Sequence, residues 1–155
     1  MSWRDELNRY FEKGAKKEHN HELGLEIEHF IVKKDTLEAV PYGGEHGIKS
    51  VLALLLKCYP EAALTGKEDI LGFEVADFTI TLEPAAQLEI SITKSSSISK
   101  IRSVYRSFRQ NLDRILEGFG YKALTVGCQS KSRVEDTALI PKERYPQMDR
   151  YFKET

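Results

Sequence analysis

The chain has 155 residues, 41% of them hydrophobic, which is enough apolar material for a packed core and excludes an intrinsically disordered chain. Lys plus Arg (23) nearly balance Asp plus Glu (24), a formal net charge of -1, so there is no electrostatic footprint for nucleic acid or for an anionic membrane surface. No run approaches the roughly 18 apolar residues of a spanning helix, and the charged opening MSWRDELNRYFEKGAKKEHNHE has no apolar stretch of the secretory kind, so the expected location is the cytoplasm.

Trp3, Leu7, Tyr10 and Phe11 share one helical face and predict an amphipathic lead-in helix within residues 1–22. Leu23 to Lys33 reads as a strand, with Leu23, Leu25, Ile27 and Ile31 on one face, interrupted by His29, and Glu26, Glu28, Phe30 and Val32 on the other. A turn near Asp35 lets TLEAVPY fold back on it. GGEHG is a loop, and Ile48 to Lys57 reads as a short apolar helix. Phe73 to Ile92 carries two alternating strands around Pro84: Phe78, Ile80 and Leu82 on the oily side of the first, Leu88, Ile90 and Ile92 on that of the second. The strongest helix follows, capped by a serine near Ser96 or Ser97 and ended by Gly118 and Gly120. Its stripe is Ile98, Ile101, Tyr105, Phe108, Leu112, Ile115, Leu116 and Phe119. A last strand, Tyr121 to Val126, leads through a polar loop to a short helix opened by Pro141. The pattern is α+β: an antiparallel sheet with helices packed on one face and a polar opposite face open to a ligand, in one domain over 1–155.

Three groups of residues can carry chemistry. In Gly24-Leu25-Glu26-Ile27-Glu28 the two carboxylates point to one side of a strand, roughly 6.6 Å apart along it. That spacing suits hard cations, but charge alternation of this kind is also common on the solvent face of an edge strand. In Leu82-Glu83-Pro84-Ala85-Ala86-Gln87-Leu88-Glu89-Ile90-Ser91, the residues Gln87, Glu89 and Ser91 form a polar row, from which Glu89 can join Glu26 and Glu28 around a metal such as magnesium, which favours a few carboxylates plus phosphate oxygens; otherwise the row is a solvated face. Glu83 before a proline reads as a turn residue. In Ile140-Pro141-Lys142-Glu143-Arg144-Tyr145, Lys142 and Arg144 can hold phosphates or a carboxylate, or can simply solvate a helix start. His19 and His21 make at most a weak metal pair, with no third ligand at a fitting spacing. Cys58 and Cys128 read as two buried thiols in a reducing compartment. There is no phosphate-binding glycine loop and no nucleophile elbow, so any ATP binds without a P-loop.

Taken together and in this order, GLEIE, LEPAAQLEIS and PKERYPQMDRYF resemble the GxExE strand, the LEPGGQxELS hairpin and the PKxRY segment of the glutamate–cysteine ligase family of the plant and proteobacterial kind, from about Gly24 to the end of the chain. The resemblance implies a catalytic sheet like that of glutamine synthetase. It implies an ATP-dependent carboxylate–amine ligase in glutathione precursor synthesis, in which ATP phosphorylates the γ-carboxylate of glutamate and cysteine or another amine attacks the acyl phosphate. It assigns Glu26, Glu28 and Glu89 to Mg2+, Lys142 and Arg144 to catalysis, and Gln87, Arg144 and Tyr145 to substrate. Two positions depart from the family pattern: Ala85-Ala86 replaces a double glycine, and Glu143 replaces the glycine between Lys142 and Arg144. The family's chains run far beyond this length, so the expectation is an amino-terminal portion, incomplete alone, with a carboxy-terminal half or self-association as its partner. The alternative is a non-catalytic module that binds glutamate or a partner chain.

Overall fold

A computed structural model of the chain describes residues 2–15, 21–66 and 69–154. Its element order is α1 (Trp3–Gly14), β1 (Leu23–Lys33), α2 (Ile48–Leu56), β2 (Ala63–Thr65), β3 (Gly72–Val75), β4 (Phe78–Leu82), β5 (Leu88–Ser95), α3 (Ile98–Phe119), β6 (Tyr121–Leu124) and α4 (Arg144–Glu154), with a single 3-10 turn at Val134–Asp136. The strands form one six-stranded sheet in the order β2-β3-β4-β5-β1-β6, each neighbouring pair antiparallel. This is the α+β architecture read from the sequence. Four strand positions were anticipated. β2 and the β3–β4 hairpin were not, because β2 has three residues and the Ala76-Asp77 turn carries no glycine or proline to announce it.

The alternation of β4 and β5 drives the core. Phe78, Ile80 and Leu82 pair across the ladder with Ile92, Ile90 and Leu88, and all six are buried. They face α3, whose Ile101, Phe108, Leu112 and Leu116 are buried on the same side, while α2 adds Ile48, Val51, Leu52 and Leu55. Each such side chain contributes roughly 1.5–3 kcal/mol on full burial. Ile98, which the helical stripe includes, is 63% exposed at the first position of α3. Ser97 caps the helix by accepting from the Lys100 amide at 3.2 Å, and Gly120 ends it at φ 71°, a left-handed cap that glycine adopts without a Cβ penalty.

His29 lies on the oily parity of β1 and is fully buried between β5 and α3. Its Nδ1–H donates to the Leu88 carbonyl at 3.1 Å, and its Nε2 accepts from the Tyr105 hydroxyl at 3.0 Å. Both ring nitrogens are thereby satisfied, and burial holds its pKa below the usual histidine value. The residue that interrupts the apolar pattern is a fully paired core group.

The outer helices behave differently. α1 forms where its amphipathic pattern places it, with a reciprocal Ser2–Asp5 capping box, but it buries nothing: Trp3, Tyr10 and Phe11 are each at least 66% exposed. α4 begins at Arg144, three residues after Pro141, and buries only Tyr145. The helices packed on one face are therefore α2 and α3. Both cysteines are free and exposed, which corrects the expectation of buried thiols: Cys58 follows the end of α2, and Cys128 lies in the loop after β6. TLEAVPY returns to β1 through one bridge, Val32 to Ala39. His19 lies outside the described residues. Among those described, no helix is long and apolar enough to cross a membrane.

Candidate functional site

The register of the central strands decides what stands on the polar face. In β1–β5, Glu26 pairs with Ser91 and Glu28 with Glu89; in β4–β5, Thr79 pairs with Ser91 and Thr81 with Glu89. Opposed residues of an antiparallel ladder point to the same side. Two rows therefore cross three strands, Glu28–Glu89–Thr81 and Glu26–Ser91–Thr79, on the face away from α3. Glu26, Glu28 and Glu89 share a face as expected.

They do not converge as a ligand cage. Among the described residues, no three His, Cys, Asp or Glu side chains come close enough to hold a metal ion. Glu89 is held by a neighbour in each row: its Oε2 accepts from Thr81 Oγ1 at 2.7 Å and its Oε1 from Ser91 Oγ at 3.5 Å. Glu26 and Glu28 instead line an open groove of about 440 Å³, closed on its far side by Thr125, Val126 and Gly127. The donor chemistry still fits a hard divalent cation: every candidate ligand is a carboxylate on one face, and the site carries excess negative charge. Glu83 reports that charge. Burial, then Glu89 and Glu28, push its carboxyl above the usual range, against the opposing pull of Lys142 and Arg144.

The hairpin and the PKxRY segment meet at this end of the sheet. The loop Pro84-Ala85-Ala86 turns through a bond from the Ala86 amide to the Glu83 carbonyl at 2.9 Å, and the Glu83 amide bonds Gln87 across the neck at 2.9 Å. Ala86 sits at φ 65°, the left-handed position of this three-residue loop that glycine favours, so the alanine that replaces glycine here is strained. Gln87 Oε1 accepts from the Ala85 amide at 3.0 Å, which commits half of that side chain to its own turn.

Ile140 then docks on the hairpin, its amide donating to the Pro84 carbonyl at 2.9 Å. Tyr145, 4% exposed, donates its hydroxyl to the Leu82 carbonyl at 3.1 Å. Arg144 donates to that same hydroxyl at 3.2 Å, and the cationic groups of Arg144 and Lys142 lie 5.0 and 5.4 Å from the Tyr145 ring centre. Tyr145 is thus an anchor that holds two cations near Glu83 and Glu89. Glu143 is exposed. Sequence motifs far apart in the chain are brought to one corner by backbone bonds.

The sequence reading passed over three contributors. Thr81 shares the parity of Glu89, so alternation alone is enough to find it. Glu83 was read as a turn residue. The loop from Thr125 to Leu139 has no periodicity, yet it walls the groove and, beside it, an apolar cavity of about 470 Å³ lined by Phe30, Ala85, Gln87, Cys128, Val134 and Leu139 among others. That loop explains why Phe30, on the polar parity of β1, is only 6% exposed.

This is an α+β sheet protein that presents carboxylates and a Lys–Arg–Tyr corner on one face, an arrangement suited to an oxygen-rich, charged ligand. Residues 22–155 match the glutamate–cysteine ligase family 2, and the chain belongs to that family. It is 26% identical over 149 residues to glutamate–cysteine ligase B, chloroplastic, of Oryza sativa subsp. japonica, and 26% to the chloroplastic glutamate–cysteine ligase of Arabidopsis thaliana. Identity to the chloroplastic enzyme of Nicotiana tabacum is 24%. Each alignment covers 96% of this chain but only 29% of the first relative and 28% of the other two, so the chain spans less than a third of their length.

Proposed function

We propose that this chain carries the carboxylate-bearing part of an ATP-dependent ligase that joins the γ-carboxylate of glutamate to an amine through a γ-glutamyl phosphate. The single observation that carries the reading is the meeting of the three family motifs at one corner of one sheet: Glu26 and Glu28 beside Glu89, with Lys142 and Arg144 held over Tyr145.

Phosphoryl transfer asks a protein for positioning and charge compensation more than for a nucleophile. Glu26, Glu28 and Glu89 are the residues to hold Mg2+, with the Thr81 and Ser91 hydroxyls orienting Glu89. Magnesium, when bound, supplies neutralisation of the phosphate charge. Lys142 and Arg144 face the phosphate or the substrate carboxylate, and Tyr145 fixes where they stand. Gln87 retains its amide N–H groups for substrate. The sheet takes the part that the catalytic sheet plays in glutamine synthetase, and the remaining contacts come from outside these 155 residues.

The test is a coupled ADP-release assay with glutamate, cysteine and Mg2+, run on this chain alone and with a separately supplied carboxy-terminal portion of a family ligase. The expected result is no turnover alone, turnover on complementation, and loss of that turnover in Glu28→Gln. Complementation that leaves Glu28→Gln fully active overturns the assignment. Glutamate binding without turnover under any complementation favours a binding module.

A further inference from the structure

Across the sheet from the carboxylate rows, a cavity of about 280 Å³ opens on the helix side. Three stretches wall it: Tyr59 and Glu61 after α2, the turn from β3 to β4 with Asp77, and Ser103 and Ser107 on α3. Phe78, at the end of that turn, lies on the oily parity of β4, whereas Thr79 and Thr81 stand on the other face. The sheet itself therefore separates this cavity from Glu28 and Glu89.

The walls are held in place. Thr93 of β5 fixes the turn: its amide donates to the Asp77 carbonyl at 2.9 Å and its hydroxyl to the Ala76 carbonyl at 3.3 Å. Tyr59 stands edge-on to Phe78, with ring centres 5.2 Å apart, and its hydroxyl accepts from Asn111 Nδ2 at 3.2 Å. A cavity whose walls are already fixed loses little freedom when it fills.

Its chemistry has one sign. Glu61 and Asp77 both line it, and among the described residues no Lys, Arg or His does. Burial raises the pKa of the Tyr59 hydroxyl, and the nearby Cys58 and Glu61 raise it further, so the ring and the Glu61 carboxylate share one space. A hard metal ion is poorly served, because among the described residues no third acidic, histidine or cysteine side chain comes close enough to complete a cage. Carboxylates and serine hydroxyls accept from an ammonium group, while an aromatic ring and the Val104 side chain take an alkyl stem. Lys100 already makes such a contact from the rim. Its Nζ lies 2.9 Å from Asp77 Oδ1, and with the two side chains 59% and 49% exposed this is an ion pair that costs little to exchange.

We propose that this cavity binds a free primary alkylammonium with a short stem. Its ammonium group is met by Asp77 and Glu61 in exchange for Lys100, and its stem lies on Tyr59 and Val104. The inference is independent of the ligase reading, since the cavity and the carboxylate rows occupy opposite faces of the sheet.

The probe is n-butylammonium, with n-butanol as the neutral control and butyrate as the anionic one. Amide shifts of the isotope-labelled 155-residue chain are followed by heteronuclear NMR at constant ionic strength. Butylammonium shifts the amides of residues 59–61, 75–78 and 103–107 and leaves those of residues 26–28 and 89 in place. Neither control does so. Asp77→Asn weakens binding by about fivefold, and Lys100→Met, which removes the competing ammonium, tightens it by about the same factor. Ser107→Trp, a substitution at an exposed position that fills the cavity, abolishes it, with that variant's own spectrum reporting its fold. Saturating Mg2+ leaves the affinity unchanged. An equal response to n-butanol, no shift at the cavity, or affinities unmoved in both Asp77→Asn and Lys100→Met overturns the proposal. Competition by Mg2+, or shifts confined to residues 26–28 and 89, places the ammonium on the carboxylate rows and overturns it as well.

Discussion

Glu28 of β1 and Glu89 of β5 stand directly opposite each other in an antiparallel ladder, two like charges on adjacent strands with no basic residue between them in the row. Such a pair is destabilising, and a cation bound beside the two would relieve the repulsion. Glu28→Gln should raise the stability of the chain in chelator by roughly 0.2–1 kcal/mol while removing any stabilisation by Mg2+. Thermal melts with EDTA and with Mg2+ check both halves. A variant that melts lower in EDTA and keeps its Mg2+ response contradicts the placement of the metal.

Ala86 at φ 65° predicts a trade between strain and packing. A left-handed non-glycine residue costs about 1–2 kcal/mol, and the buried methyl, 3% exposed, contributes about 0.8 kcal/mol. Ala86→Gly is therefore neutral to stabilising by about 1 kcal/mol. Ala85→Gly, at a neighbouring position without positive φ, is neutral to destabilising, since glycine there gains only unfolded-state entropy. Urea denaturation of the two variants should separate them in that order.

His29 predicts a pH dependence. Burial lowers its folded pKa, so the unfolded chain binds the proton more readily than the folded one. Its contribution is intact above the unfolded value near 6.5 and is lost as pH falls from there toward the folded pKa. Stability measured by denaturant should fall across that window, and His29→Gln should flatten the fall. Tyr105→Phe, which strands Nε2 in the core, should cost about 1–3 kcal/mol at neutral pH.

Tyr145 ties the PKxRY corner to β4 through one hydroxyl. Tyr145→Phe should cost roughly 1 kcal/mol, and hydrogen exchange should quicken at residues 140–150 with little change in β4 and β5. Uniform loss of protection across the sheet would mean that Tyr145 supports the whole core and not the corner alone.

The strands β1, β4 and β5, the helix α3 and the face shared by Glu26, Glu28 and Glu89 were legible in the sequence for one physical reason. Side-chain alternation along a strand and the 3.6-residue stripe of a helix are local, and each is written in consecutive residues. Phe78, Ile80 and Leu82, with Thr79 and Thr81 between them, declare both faces of β4 without reference to any other part of the chain.

Only the tertiary structure decided the rest. Whether Cys58 and Cys128 are covered, whether Phe30 is buried on the polar parity, and whether the carboxylates form a cage depend on contacts between residues far apart. The loop after β6 buries Phe30, and the Thr81 hydroxyl turns Glu89 along its row. His29 looked like a flaw in an apolar stripe until Leu88 and Tyr105, 59 and 76 residues away, supplied its two partners. A buried polar group is determined by where its partners come from, and the chain's local pattern holds no record of that.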